Sequence, residues 1–432
     1  MYTATTSFSY EERNDAYYDW TMTTRELAAQ GAAVKQAAVA LGQASDGQRR
    51  GVLLRVADRL EEVLEDLVTV NALDLADYDE SGSGRDRLTL TKERVLAMAN
   101  ALREIADAPD PLFEVLNRSI RPNGLQIERL RVPLGVIGVV YENRPNVTSD
   151  VAGLCVRSGN AAFLRGSSTA MRTNAFIVEL WQKALEEEGL PAAGVELVQD
   201  PSHETVAAFM QLTEVLDCLI PRGGPSLIRA MREYARVPYV LDGDGNCHVY
   251  VDDSANLEAA LAIVKNAKTS RPGVCNAVET VLVHESVAAS FLPALALAMP
   301  EVELRVDAAG ASILPGATLA SDVDYATEFL DLILAVKVVA SLDEAIEHVA
   351  RFGTGHSEAI LTENAEHAEA WIRRVDAAAV LVNTSTRFID GGELGLGGEV
   401  GISTQKLHAR GPMGLRELTC LKWVVRGEGQ VR

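Results

Sequence analysis

The segment KNAKTSRPGVCNAVETVLVH, residues 265–284, decides how the rest of the chain is interpreted. It begins as a helical run, passes through a small basic loop and continues as an apolar β-branched run, Val278 to Val283, typical of a buried strand. Cys275 lies between the loop and the strand. Because Lys268 and Arg271 are close to it in sequence, their positive charge favours the thiolate, which is the reactive form of cysteine. Taken alone, the segment fits a nucleophile or one more buried cysteine.

Composition limits the class of protein. A chain of 432 residues with 47% apolar and 23% charged residues is expected to form two or three globular units. The net charge of −21 argues against nucleic acid and against an anionic membrane surface as partners. No apolar run is long enough to span a membrane, and the first residues lack the apolar core of a signal peptide.

Cysteine and histidine usage predicts no metal site and no disulfide framework. The five cysteines are an odd and scattered set without a CxxC pair, and the seven histidines show no ligand spacing. A reducing, cytoplasmic location is therefore expected.

The middle of the chain alternates between strands, loops and helices. Short apolar runs typical of buried parallel strands are each followed by a loop and usually a helical pattern. This order predicts a doubly wound α/β domain with its ligand crevice at the carboxyl ends of the strands. Leu125 to Val132 alternates apolar and charged residues instead, which indicates an exposed or edge strand. The α/β alternation resumes at Val249 and includes Cys275. The predicted buried strands are Gly135–Val140, Ala161–Leu164, Gly194–Val198 and Val215–Ile220.

Two strand-end loops are candidates for binding a dinucleotide, although the usual GxGxxG pattern is missing. The loop Arg165-Gly-Ser167-Ser168 offers a guanidinium and two hydroxyls, which suit a ribose or a 2′-phosphate. The loop Gly223-Gly224-Pro-Ser226 offers backbone amides at a helix N-terminus, where a pyrophosphate can bind. Each loop alone fits an ordinary turn equally well.

Four segments together resemble the gamma-glutamyl phosphate reductase family of the aldehyde dehydrogenase superfamily. They are the Cys275 segment, VVYENRPN at 139–146, EFLDLILAVK at 328–337 and GISTQKLHARGPMG at 401–414. The similarity runs from about residue 28 to residue 426, with the segments in order. It implies an α/β, aldehyde-dehydrogenase-like fold with a Rossmann-like cofactor domain, an α/β catalytic domain and a small β oligomerisation element. The implied division is an N-terminal tail at 1–24, a cofactor domain at 25–120 and 136–246, a catalytic domain at 247–398, and an oligomerisation element at 121–135 and 399–432.

The resemblance also implies roles for individual residues. Cys275 becomes the nucleophile, and Asn143 becomes the amide that holds the oxyanion with the backbone N–H of Cys275. Glu328 corresponds to an acid on the nicotinamide ribose, although without the family it fits a helix-terminal acid equally well. Arg165 lies where the superfamily has a basic residue near the adenine ribose. Ser168 stands where many NAD-using members carry an acid, so NADPH is favoured over NADH. The implied cofactor-binding residues are Arg165, Ser167, Ser168, Gly223, Gly224, Ser226 and Glu328.

The implied reaction is the NADPH-dependent reduction of L-glutamyl 5-phosphate to glutamate 5-semialdehyde and phosphate through a cysteine thioester, a step of proline biosynthesis. The product cyclises to 1-pyrroline-5-carboxylate. This small-molecule substrate is anionic, so basic groups must converge on it. Each candidate taken singly fits a structural ion pair better than a ligand, and the sequence does not assign which of them holds phosphate. The candidates are Lys268, Arg271, Arg387, His408 and Arg410.

Two other functions stay open at this point. A hydrolytic NAD(P)-dependent semialdehyde dehydrogenase would resolve its thioester with water, using a glutamate in a Glu-Leu-Gly-Gly segment. This chain has Asp242-Gly-Asp-Gly245 instead, where a shorter carboxylate is a poor water activator. A catalytically silent α/β partner protein would not need Cys275, Asn143 and Glu328 together. The superfamily further implies a homo-oligomer, a dimer or tetramer, and functional coupling to glutamate 5-kinase is chemically attractive.

Overall fold

The computed structural model describes residues 24–79, 83–241 and 243–432. Almost all of the predicted N-terminal tail, and Asp242 of the Asp242-Gly-Asp-Gly245 segment, lie outside these residues. Within the described part of the chain, no helix combines the length and apolarity needed to cross a bilayer.

The described part of the chain starts with a helical layer that packs on a parallel sheet. Val52, Leu53, Val56 and Leu60 form one apolar stripe and are fully buried. Ser45 begins this helix with a capping box, in which Gln48 returns the hydrogen bond. The layer and the following pair of strands comprise α1 (Thr24–Gln43), α2 (Asp46–Glu62), α3 (Leu64–Ala76), α4 (Ser83–Leu88), α5 (Lys92–Asp107), β1 (Val115–Ile120) and β2 (Gln126–Pro133).

The next block is a parallel sheet with helices on it, which we call the first sheet. Its elements are β3 (Val136–Tyr141), α6 (Pro145–Arg157), β4 (Ala161–Arg165), α7 (Met171–Glu187), β5 (Val195–Leu197), α8 (His203–Phe209), β6 (Cys218–Arg222) and α9 (Pro225–Tyr234). The strand order is β5-β4-β3-β6, and every pairing is parallel. The last strand begins at Cys218 and not at Val215 as predicted, because the N–H groups of Val215 and Leu216 bond back to the Leu212 carbonyl in a turn.

A second parallel sheet follows, which we call the second sheet. The elements of this block are β7 (Cys247–Val251), α10 (Leu257–Thr269), β8 (Val278–His284), α11 (Glu285–Ala298), β9 (Glu303–Val306), α12 (Ala308–Ile313), β10 (Thr318–Leu319), α13 (Asp322–Tyr325), β11 (Ile333–Val339), α14 (Leu342–Phe352), β12 (Ser357–Leu361), α15 (Ala365–Arg374) and β13 (Ala379–Val382). The strand order is β10-β9-β11-β8-β7-β12-β13. The run Val278 to Val283 lies in the central strand β8 and is fully buried, as its apolar character predicts.

The chain ends with β14 (Ile402–Ser403), β15 (Gly411–Pro412) and β16 (Thr419–Arg426). The last strand pairs antiparallel with β2, which pairs antiparallel with β1, and we call this the terminal sheet. The alternation at 125–132 predicted an exposed or edge strand, but β2 is half-buried along most of its length and central, because β1 and β16 cover its two edges. The terminal sheet also begins at Val115, before the predicted boundary at residue 121.

Candidate active site

The two parallel sheets present different ends of their strands to the predicted functional loops. In the first sheet, Asn143 and Gly223 follow β3 and β6, and Arg165 is the last residue of β4, so these residues lie at carboxyl ends as predicted. In the second sheet, Cys275 precedes β8 and Glu328 precedes β11. Cys275 and Glu328 therefore lie at the amino ends of strands in the second sheet. The rule that ligands bind at the carboxyl ends of parallel strands does not by itself predict this position.

Cys275 lies in a turn whose backbone is held in place by contacts with two other residues. Its thiol is half-buried, and the carbonyl of Cys275 accepts a hydrogen bond from the thiol of Cys247 at 3.1 Å. Gly245 packs directly on the same backbone, since a Cβ placed at Gly245 would lie 1.6 Å from the Cys275 carbonyl oxygen. The N–H of Gly245 in turn donates to Glu328 Oε1 at 2.8 Å. Glu328 and Cys275 are thus joined through a single glycine.

The other four cysteines lie in less reactive environments. All five carry free thiols. Burial raises the pKa of Cys155 and Cys247, and it raises the pKa of Cys218 to about 12. Desolvation also raises the pKa of Cys420. Because thiolate is the nucleophile, these shifts make Cys155, Cys218, Cys247 and Cys420 poorly suited to covalent chemistry.

Two of the predicted substrate-binding cations lie beside Cys275. Arg387 is half-buried and donates to the side-chain oxygen of Asn276, and its Nε lies 3.3 Å from Ser270 Oγ. Desolvation lowers the pKa of Arg387, the charge of Arg271 lowers it further, and Cys275 is among the groups that raise it. Arg271 is exposed on the loop that also carries Cys275. Arg271, Arg387 and Cys275 are therefore close enough to interact electrostatically.

Lys268 has a different role from the one predicted. Its ammonium group is fully buried and lies 2.6 Å from the fully buried carboxylate of Glu279. Desolvation lowers the pKa of Lys268 and raises that of Glu279. The second oxygen of Glu279 accepts the N–H of Leu330 at 3.1 Å. Lys268 is thus part of a buried ion pair that joins the end of α10 to the loop of Glu328, and its assignment to substrate is corrected.

His408 and Arg410 belong to the loop between β14 and β15, and their contacts point elsewhere. His408 is exposed and bonds the Glu417 carbonyl at 2.8 Å. Arg410 forms an ion pair of 2.8 Å with Asp376, which precedes β13. That strand lies three strands from β8, roughly 14 Å at about 4.8 Å per strand. These contacts do not bring His408 or Arg410 to the pair of Arg271 and Arg387.

On the first sheet, Arg165 and its neighbours form the predicted ribose loop. The Arg165 guanidinium donates to the Pro201 carbonyl, and its Nε is buried without a partner in the described chain. Burial lowers the pKa of Arg165, and the charge of Asp200 opposes this. Ser168 is exposed and lines a cavity of about 260 Å³. Ser167 Oγ accepts the N–H of Thr169, capping the turn.

The predicted pyrophosphate loop already holds an anion from the chain itself. Gly224 is the N-cap residue of α9, and its N–H donates to Glu142 Oε2 at 3.0 Å. A Cβ at Gly223 would lie 2.6 Å from the Glu142 carboxyl carbon. Ser226 is exposed on the first turn. The Gly224 amide assigned to the pyrophosphate therefore has an internal partner, and a bound phosphate at this amide would have to displace that carboxylate.

Sequence reasoning missed four residues that shape the site, namely Glu142, Gly245, Cys247 and Tyr78. Glu142 is adjacent to Asn143, and Gly245 ends the Asp242 segment, so their neighbourhood was visible in the sequence. Cys247 was assigned a structural role, and its contact with Cys275 joins residues 28 positions apart. Tyr78 comes from the helical layer, where no motif marks it, and its phenol accepts a hydrogen bond from Asn143.

Comparisons with known proteins show the family of the chain. The aldehyde dehydrogenase family matches residues 16–316. The gamma-glutamyl phosphate reductase of Heliobacterium modesticaldum is 51% identical over 412 residues, covering 94% of this chain and 99% of that protein. The crystal structure of gamma-glutamyl phosphate reductase from Thermotoga maritima has a TM-score of 0.91 and 43% identity, covering 94% of this chain and 100% of that chain.

A more distant likeness concerns the fold alone. An engineered glycolyl-CoA reductase with bound NADP+ has a TM-score of 0.68 and 16% identity, covering 93% of this chain and 96% of that chain. With the closer relatives, it confirms the predicted α/β, aldehyde-dehydrogenase-like fold. By sequence and fold together, the chain belongs to the aldehyde dehydrogenase family and, within it, to the gamma-glutamyl phosphate reductases.

Proposed function

We propose that the protein reduces L-glutamyl 5-phosphate to glutamate 5-semialdehyde and phosphate, using NADPH, as a step of proline biosynthesis. The observation that carries the proposal is the Cys275 turn. The backbone of Cys275 packs against Gly245 and Cys247, its side chain is half-buried, and Arg271 and Arg387 lie beside it. A fixed thiol next to positive charge suits nucleophilic attack on an anionic acyl group.

The first step forms a thioester on Cys275. The thiolate attacks the acyl carbon, a C–S bond forms, the bond between the acyl carbon and the phosphate oxygen breaks, and phosphate leaves with the electron pair. Phosphate is a good leaving group, and it takes up the proton that the overall reaction consumes. Arg271 and Arg387 bind the departing phosphate or the amino-acid carboxylate, because guanidinium groups match both anions.

The second step reduces the thioester. NADPH, when bound, supplies the hydride that this carbon accepts. The carbonyl oxygen then carries a full negative charge, which the side-chain amide of Asn143 and the backbone N–H of Cys275 stabilise by about 3 kcal/mol per donor. Collapse of this alkoxide breaks the C–S bond, regenerates the Cys275 thiolate and releases the aldehyde. The released semialdehyde then cyclises to 1-pyrroline-5-carboxylate.

The loop after β4 in the first sheet fits the ribose end of a dinucleotide, whereas a phosphate at the Gly224 amide would first have to displace Glu142. Arg165 presents a buried Nε with no partner in the described chain, and Ser168 is an exposed hydroxyl in place of an acid. A cationic side chain without a neighbouring carboxylate on its own loop suits a 2′-phosphate, which supports NADPH. We assign Glu328 to the nicotinamide ribose, and its link to the Cys275 turn through the N–H of Gly245 supports this assignment.

The remaining expectations belong to the same proposal. We place the enzyme in the cytoplasm as a homo-oligomer, a dimer or tetramer, assembled through the terminal sheet. The acyl phosphate is labile in water, so functional coupling to glutamate 5-kinase would protect it.

The competing hydrolytic activity differs in what releases the thioester. Semialdehyde and NADP+ are incubated with and without inorganic phosphate, and NADPH absorbance is followed. Sustained NADPH formation that requires phosphate and disappears in Cys275→Ala supports the reductase. Equal rates without phosphate would mean that water resolves the thioester, and the proposal would fail.

A further inference from the structure

The side-chain amide of Asn143 is held at both ends. Its Nδ2 donates to the phenol oxygen of Tyr78 at 3.0 Å, and its Oδ1 accepts the hydroxyl hydrogen of Thr169 at 2.5 Å. The terminal torsion of an asparagine side chain is broad and roughly two-fold, so a free amide would sample many orientations. Two hydrogen bonds at opposite ends of the planar group select one of them.

These contacts leave one donor of Asn143 for chemistry. A carboxamide has two N–H donors, and Tyr78 takes one of them. Neither contact uses the second N–H. Because Tyr78 and Thr169 fix the plane of the amide, they also fix the direction in which this second N–H points.

Tyr78 and Thr169 are themselves held in place. Tyr78 is buried with Leu88 and Ala170 in a small apolar cluster, so its ring packs against the turn that carries Thr169. The Thr169 hydroxyl lies 2.9 Å from Ser167 Oγ, which also accepts the N–H of Thr169. The helical layer and the predicted ribose loop thus meet at the Asn143 amide.

We propose that Tyr78 and Thr169 are positioning residues that aim the free N–H of Asn143 at the oxyanion formed on the Cys275 adduct. This inference rests on the proposed function. An oxyanion donor acts through its alignment with charge that develops only in the transition state. Loss of either partner therefore lowers kcat and leaves KM nearly unchanged.

The test uses the full-length enzyme and the phosphate-dependent oxidation of semialdehyde. Thr169→Val and Tyr78→Phe are each expected to lower kcat about tenfold, with KM for the semialdehyde within about twofold of wild type. Thr169→Ser keeps the hydroxyl and is expected to restore kcat to within about twofold. Thr318→Val, an exposed threonine on β10, serves as the matched control. Alkylation of Cys275 by iodoacetamide is expected at the wild-type rate in every variant, which verifies that the Cys275 turn is intact.

A double-mutant cycle separates positioning from a merely structural role. If Thr169 acts through Asn143, Thr169→Val has no further effect in an Asn143→Ala background. An unchanged kcat in Thr169→Val, or the same tenfold loss on top of Asn143→Ala, would overturn the inference alone. A normal kcat in Asn143→Ala would overturn the oxyanion assignment and this inference with it. Sustained NADPH formation without phosphate in the wild type would instead contradict the proposed reaction.

Discussion

Gly245 is the residue on which the position of Cys275 depends most. Its missing side chain lets the Cys275 backbone approach, and its N–H anchors Glu328 at 2.8 Å. Since any Cβ here overlaps the Cys275 carbonyl, a larger residue must displace Cys275 or the loop. A displacement of about 1 Å can cost roughly 100-fold in rate.

We therefore predict that Gly245→Ala lowers kcat at least about 100-fold. The same variant should also change the rate at which iodoacetamide alkylates Cys275. Gly47→Ala is the matched control, because a Cβ at Gly47 meets only Ser45 Oγ at 4.0 Å. Kinetics and thermal unfolding are measured for both variants. A Gly245→Ala enzyme with kcat within threefold of wild type would show that the contact does not position Cys275.

Individual residues also show what the sequence could and could not predict. Cys275, Arg271 and Arg387 lie close together, as expected. The expectation came from the shared loop for Cys275 and Arg271, and from the family resemblance for Arg387. Lys268 was wrongly assigned to substrate binding because it lies close to Cys275 along the chain. The helical period in the sequence could have corrected this assignment, because Ala260, Val264, Ala267 and Lys268 form the buried stripe of α10. A lysine on such a stripe needs a buried acid, and Glu279 on β8 provides it.

At the scale of elements, the ion pair of Lys268 and Glu279 joins helix α10 to strand β8. Both side chains are fully buried, so removing one partner leaves an uncompensated charge in the core. Through Glu279 and the Leu330 N–H, the pair also sets the loop that carries Glu328.

The structure predicts that Lys268→Met lowers the free energy of unfolding by about 3–5 kcal/mol. Replacing both partners, as in Lys268→Met with Glu279→Leu, is expected to recover most of that loss. Lys265→Met, an exposed lysine on the same helix, is the control. Urea unfolding and KM for phosphate are measured for each variant. Unchanged stability together with a raised KM would restore Lys268 as a substrate ligand.

Elements were predictable where a period governs them. The apolar runs predicted the four strands of the first sheet and, in the second sheet, β7 and β8. The start of β6 is displaced because a turn at Leu212 uses the preceding N–H groups. The strand β1 was missed, because Val115 to Ile120 is exposed along its whole length and carries no burial pattern. The central place of β2 depends on β16, almost 300 residues away, and long-range pairing leaves no local signal.

At the scale of the whole molecule, the terminal sheet leaves an apolar surface in solvent. Ile120, Trp423 and Val425 are 71%, 65% and 56% exposed. The strand order puts β16 at an edge of this sheet, where its backbone can pair with another chain. Exposed aromatic and β-branched residues on an edge strand are typical of an oligomer interface.

The prediction that follows is a homo-oligomer that depends on β16. Trp423→Glu is expected to shift the protein to monomers in size-exclusion chromatography with light scattering. Leu297→Glu is the control, because Leu297 is 84% exposed on α11 and lies outside the terminal sheet. A Trp423→Glu variant with the mass of the wild-type assembly would place the interface elsewhere.

The net charge of −21 is unfavourable for an anionic substrate, so the whole-molecule field makes the local cations decisive. Arg271 and Arg387 provide positive charge beside Cys275, whereas the charges of Lys268 and Arg410 are already paired with Glu279 and Asp376. The substrate's anionic groups are therefore expected to bind Arg271 and Arg387, beside Cys275.

The most direct measurement follows the fate of the acyl group on Cys275 when phosphate is withheld. Semialdehyde and NADP+ are mixed with enzyme in phosphate-free buffer, NADPH is recorded by stopped flow, and the protein mass is measured. We predict a burst of one NADPH per Cys275, a mass increase of one glutamyl group that maps to Cys275, and release of that group when phosphate is added. Linear NADPH formation without a burst, and an unmodified Cys275, would contradict the account.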